Sequence, residues 1–126
     1  VLSIGNIGNN VSASIKEYEA ECPFCKVAHY DMRFLKPLDT TIIDEAMDRY
    51  ETILTVEDGC KSGGFGSAVL EYISARFSET VKKMPQVKIL GRDDMFMEHG
   101  TVAELQRICG IDVISIKETL FAMSTK

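Results

Sequence analysis

The sequence predicts an α/β fold: a sheet with parallel strand pairs, covered by helices on both faces. Three observations predict it. Strand-like runs alternate with segments whose apolar residues recur at helical spacing, the order that builds βαβ units. Glycine- and asparagine-rich stretches fall where a strand run ends and a helix pattern begins, as strand-to-helix turns require. The chain has 126 residues, of which 45% are hydrophobic, a length and composition that suit one domain with a core of its own.

Each element follows in order. Residues 1–5 read as a first strand and 6–10 as a turn. Residues 11–21 form a helix with Val11, Ile15 and Tyr18 on one side. Residues 27–34 alternate like a second strand, which Pro37 closes, because the residue before a proline resists helix. Asp39, Thr40 and Thr41 offer N-cap oxygens to a helix that turns Ile42, Ile43, Ala46, Met47 and Tyr50 inward. The β-rich run 52–56 is a third strand. It leads through Gly59, Gly63, Gly64 and Gly66 into a helix with Phe65, Ala68, Val69, Tyr72, Ile73 and Phe77 on one face. Residues 86–90, after Pro85, read as a fourth strand and 93–100 as a loop. Thr101 with Glu104 and Ser115 with Glu118 are capping boxes for two final helices, the first stopped by Gly110. Residues 112–114 are a weak fifth strand. Crossovers are expected to be right-handed.

Charge and composition exclude some functions. The formal net charge is −5, against the lysine and arginine excess that sequence-independent nucleic-acid binding needs. No apolar run approaches the roughly 20 residues of a membrane span. The chain does not open on a basic segment followed by an apolar one, so a cytoplasmic setting is expected. It begins directly on a strand-like run and reads as a piece of a longer polypeptide.

Several motifs carry potential chemistry. Cys22-Pro23-Phe24-Cys25 has redox spacing, but it follows a helix and precedes a strand, the reverse of a thioredoxin-like site. Incidental thiols are the expectation, with a disulfide or a metal as alternatives. Gly5-Asn6-Ile7-Gly8-Asn9-Asn10 could hold an anion on its backbone amides, yet it lacks the third glycine of a dinucleotide fingerprint. Gly63-Gly64-Phe65-Gly66-Ser67 has no lysine in the Walker position. Its glycines suit a sharp turn and a close approach, with Phe65 placed to fill a pocket across a domain boundary. Glu57 and Asp58 point to opposite faces of a strand end and read as solvated loop acids rather than an acid/base pair. His29 is expected to be packed or half-buried, and His99, before a helix start, to serve an interface or a cap. No serine has a nucleophile-elbow setting, and no acid/histidine cluster has metal spacing.

Asp31-Met32-Arg33-Phe34-Leu35-Lys36-Pro37-Leu38-Asp39, then Val56-Glu57-Asp58-Gly59, Gly63-Gly64-Phe65-Gly66-Ser67-Ala68-Val69-Leu70 and Phe96-Met97-Glu98-His99-Gly100 together resemble the C-terminal domain of the 1-deoxy-D-xylulose-5-phosphate synthase family, transketolase-like enzymes that use thiamine diphosphate. The likeness covers nearly the whole chain. The strand-proline signature and the glycine run also fit β subunits of 2-oxo-acid dehydrogenases, and the Arg-Phe-Leu-Lys-Pro form with the late His-Gly favours the synthases. A stand-alone module that binds a phosphate-bearing regulator at the 5–10 turn is a further alternative.

The resemblance implies a three-layer α/β/α domain with a mixed, mostly parallel five-stranded sheet, one strand antiparallel, spanning residues 1–126. It implies a parent enzyme that condenses pyruvate and glyceraldehyde 3-phosphate with loss of carbon dioxide. Thiamine diphosphate and Mg2+ belong to the preceding domains, so no catalytic, cofactor or metal residue is carried over. The segment's implied role is to pack on the upstream pyrimidine-binding domain and to help build a homodimer, with Gly63, Gly64, Phe65, Gly66 and His99 as candidate interface residues. A bulky residue at Gly64 is accordingly expected to harm docking more than the segment's own fold.

Overall fold

The computed structural model describes residues 1–33, 36–79, 83–93 and 100–124. Its elements are β1 (Leu2–Ile4), α1 (Gly8–Glu21), β2 (Tyr30–Met32), α2 (Thr40–Arg49), β3 (Thr52–Cys60), α3 (Phe65–Glu79), β4 (Gln86–Arg92), α4 (Val102–Cys109) and α5 (Val113–Ser124). Among the described residues the sheet has four strands in the order β2-β1-β3-β4, and every pairing is parallel.

The central strand β3 shows why three layers form. Its side chains alternate between faces. Ile53 joins the core beneath α2 and α3, together with Leu2, Ile43, Phe65, Val69 and Ile73. Leu54 and Val56 join the opposite core, with Val11, Ile15 and Tyr18 of α1 and Ile116 and Leu120 of α5. A strand buried on both faces needs a nearly continuous apolar run, which 53–56 supplies with Thr55 as its one polar member.

The three-layer architecture agrees with expectation; several details differ. The sheet lacks the expected fifth, antiparallel strand among the described residues. Residues 113–114 belong instead to α5, whose first turn closes with the Ile116 N–H donating to the Asp112 carbonyl. The helix thus starts ahead of Ser115, whose carbonyl accepts from the Thr119 hydroxyl. The second strand is shorter than 27–34, because β1 pairs with only three of its residues. Ahead of it, the Val27 N–H is held by the Glu19 carboxylate. The third strand is longer than expected and runs on to Cys60. The caps behave as read: Asp39 accepts from the Ile42 N–H, Thr101 accepts from the Glu104 N–H, and Gly110 ends α4 at φ +74°.

Asn10 and Ser14 of α1 anchor the C-terminal helices. The Asn10 amide donates to Gln106 and to the Ile111 carbonyl, and the Ser14 hydroxyl donates to the Val113 carbonyl. Lys117 adds ion pairs to Glu17 and Glu21.

Candidate functional site

In an open parallel sheet, ligands bind beyond the carboxyl ends of the strands, where neighbouring connections leave for opposite faces. Here that point lies between β1 and β3. The turn after β1 leads to α1 on one face, and the turn after β3 leads to α3 on the other. Two glycine turns therefore flank the crevice.

The first turn is closed on itself. Gly5 adopts φ +83°, and the N–H groups of Gly8 and Asn9 donate to the carbonyls of Gly5 and Asn6. These amides, which an anion would need, already have acceptors. Beside the turn, Ser3 Oγ lies 2.6 Å from His29 Nε2, and Ser12 Oγ lies 3.4 Å from His29 Nδ1. Ser3 is fully buried, so it braces the imidazole rather than presenting a nucleophile. Burial lowers the His29 pKa, and Asp31 opposes that shift. His29 is half-buried, as expected, though it precedes β2 instead of lying within it.

The second turn holds the feature that sequence reading missed. Glu57 is 5% exposed. Its carboxylate accepts the N–H of Phe65 at 2.8 Å and that of Gly66 at 3.0 Å. A helix start offers unpaired amides and the positive end of the helix dipole, which suits a phosphate or other anion. In this domain the chain's own carboxylate fills that place. The expectation of a solvated acid at Glu57 is thereby corrected: parity sends Glu57 toward α3, where the amides of its first turn satisfy the charge. The same parity sends Asp58 outward, to an ion pair with Arg92 at 2.8 Å. Alternation along the strand separates Glu57 from Asp58, but which of the two meets α3 depends on the face that α3 covers.

The glycines pack against this carboxylate. A Cβ on Gly64 would lie 2.1 Å from the Cys60 carbonyl oxygen and 2.6 Å from Glu57 Oε2. On Gly66 it would lie 2.6 Å from both Thr55 Oγ1 and Ile89 Cγ2. The close approach is therefore to the domain's own sheet. Phe65 is 1% exposed, inside the core beneath α3, which corrects its placement across a domain boundary. Gly63, at φ +71° with open space around it, is exposed together with Ser62. Ser67 donates to the Lys61 carbonyl, and Lys61 pairs with Asp93, tying the turn to the end of β4. His99 lies outside the described residues.

Cys22 and Cys25 are joined as a disulfide, correcting the expectation of incidental thiols; the turn that ends α1 brings their Cα atoms to 5.4 Å. Cys60 and Cys109 are free, and burial raises the Cys109 pKa.

The described residues do not fit thiamine diphosphate with Mg2+. The amides at the α3 start are taken, and among the described residues no group of three His, Cys, Asp or Glu side chains converges to hold a metal.

The fold is that of a doubly wound α/β domain. Residues 1–116 match the family model of the transketolase C-terminal domain, and the chain belongs to that family. It is 44% identical over 120 residues to 1-deoxy-D-xylulose-5-phosphate synthase of Bacteroides thetaiotaomicron, covering 95% of this chain and 18% of the relative. The same enzyme of Parabacteroides distasonis is 45% identical over 120 residues, with the same coverage. That of Thermus thermophilus is 46% identical over 98 residues, 78% of this chain and 15% of the relative. Among solved structures, a chain described as a split gene transketolase, inactive beta4 tetramer, superposes with a TM-score of 0.77 at 26% identity, covering 96% of this chain and 36% of that one. These matches bear out the resemblance read from the sequence. The chain spans about 18% of the length of the first of these synthases.

Proposed function

We propose that this chain serves as the C-terminal domain of a cytoplasmic 1-deoxy-D-xylulose-5-phosphate synthase. The parent enzyme condenses pyruvate with glyceraldehyde 3-phosphate, loses carbon dioxide, and supplies isoprenoid and thiamine precursors. Within it, residues 1–126 act as one architectural unit. They pack on the upstream pyrimidine-binding domain and contribute to a homodimer, while thiamine diphosphate and Mg2+ are held by the preceding domains. Gly63, Gly64, Phe65, Gly66 and His99 are the proposed interface residues: Phe65 and Gly66 fix the turn from within, and Gly63 presents it.

The observation that carries the architectural reading is the Glu57 carboxylate on the amides of Phe65 and Gly66. It fills with an internal group the place where this fold class receives anionic ligands. Titration calorimetry of the isolated chain with thiamine diphosphate and Mg2+ tests the reading. The expected result is no saturable heat. Stoichiometric, Mg2+-dependent binding, or turnover of pyruvate by these residues alone, would overturn it.

A further inference from the structure

The cysteine pair at the end of α1 meets the architecture only where Cys25 packs on the edge of one core, and its setting is unlike a structural staple. Each face of the sheet has its own apolar core, so the domain does not need a cross-link to fold. The other two cysteines are free, which is not the pattern of a disulfide scaffold. The bond closes a turn of only four residues, the arrangement that constrains an unfolded chain least. Pro23 is exposed, and Phe24 is fully exposed at the tip. Cys22 and Cys25 are themselves half-buried, so an incoming reductant reaches the bond from the projecting Pro23–Phe24 side.

We propose that Cys22 and Cys25 form a reversible dithiol–disulfide site, exchanged by an external dithiol. A thiolate of the reductant attacks one sulfur, the protein S–S bond breaks, and the departing thiolate takes a proton from water. The reductant's second thiolate then attacks the mixed disulfide. It leaves as a cyclic or intramolecular disulfide, and the second protein sulfur is protonated in turn. Two electrons and two protons pass to the protein, and the reductant is oxidised by the same two electrons. A dithiol suits the site better than a monothiol. Cys22 is the C-cap of α1, where the helix dipole disfavours a thiolate, and ring closure by the reductant drives release.

The bond's mechanical effect is local. Cys22 closes α1 by donating to the Tyr18 carbonyl, and the Cys25 N–H donates back to the Cys22 carbonyl. Beyond the turn, Lys26, Val27 and Ala28 line a cavity of about 170 Å³ under the start of the sheet. The Ala28 carbonyl accepts from the Val1 nitrogen there. Reduction removes the covalent tie at the end of α1, while the Glu19 carboxylate still holds the Val27 N–H and pairs with Lys26.

The site can be tested on the full-length protein that carries this chain, independently of any assignment of its activity. The protein is equilibrated in mixtures of reduced and oxidised dithiothreitol, quenched in acid, alkylated and mapped by mass spectrometry. The expected result is a 22–25 pair that passes between dithiol and disulfide as the ratio changes, with Cys60 and Cys109 alkylated throughout. A pair alkylated at every ratio, or joined at every ratio, would overturn the proposal. A second readout is trypsin cleavage after Lys26, whose side chain is 78% exposed. Cleavage is expected to be about tenfold faster in the dithiol form and in Cys22→Ser than in the disulfide form. Equal rates in all three would show that the bond does not govern the turn.

Discussion

The two glycine turns that flank the crevice look alike in sequence and behave differently in three dimensions. The turn after β1 is satisfied by its own backbone: Gly5 supplies a positive φ, and its carbonyl and that of Asn6 take the neighbouring amides. The turn after β3 is satisfied by a side chain from the strand before it, the buried Glu57. In the first case the glycine is needed for backbone conformation, with open space around it. In the second, Gly64 and Gly66 are needed because a carbonyl, a carboxylate and two sheet side chains occupy the room a Cβ would take. A glycine cluster in a sequence thus reports a constraint without saying whether conformation or crowding imposes it.

That difference can be broken in order of severity. Gly64→Val should have the largest effect, because a Cβ would meet a backbone oxygen at 2.1 Å. A loss of more than about 4 kcal/mol is expected, read as absence of a cooperative denaturant transition in the isolated chain. This reverses the sequence-based expectation that docking suffers first; an isolated chain that unfolds normally would restore that expectation.

Glu57→Ala comes next. It leaves two buried helix amides without acceptors, at a cost of about 3 kcal/mol. Glu57→Gln should cost about half as much, since a carboxamide offers one acceptor where two donors converge. Urea midpoints for the two variants check the ranking; equal losses would show that charge at the helix start outweighs the second hydrogen bond.

A pH titration probes the neighbourhood of the first turn. Burial lowers His29 below its ordinary 6.5. The unfolded chain therefore binds more protons than the folded one near that value. The stabilisation is fully present above pH 6.5 and is lost as pH falls below it. His29→Gln should flatten the dependence of the urea midpoint on pH between about 7 and 5. An unchanged slope would place the titration elsewhere.

The smallest effect belongs to Gly5→Ala. It strains a backbone at φ +83° but meets no neighbour, so about 1 kcal/mol is expected. Thermal unfolding that drops as far as for Glu57→Ala would mean that the first turn is crowded after all.

Much of the fold was legible because local signals and burial agreed. The β-rich run at 52–56, the Asp39 cap, the Thr101–Glu104 box and Gly110 each satisfy a requirement within a few residues of themselves. The extent of β2 was not legible, because it depends on how many residues β1 offers as partners. The start of α5 was also set from outside, by Ser14 holding the Val113 carbonyl. At the site, the glycine turn was located correctly and its role was not. Phe65 has the composition of a plug for another domain, but its position on the inward face of α3 places it in the domain's own core.

By itself the sequence determined that strands and helices alternate, that one chain of this size encloses its own core, and which family it resembles, since periodicity and short-range motifs carry all three. Only the tertiary structure decided that Glu57 is buried against α3 and that Cys22 meets Cys25. An acidic side chain is solvated or buried according to what stands opposite it, and the amides opposite Glu57 arrive only when α3 folds back over the sheet.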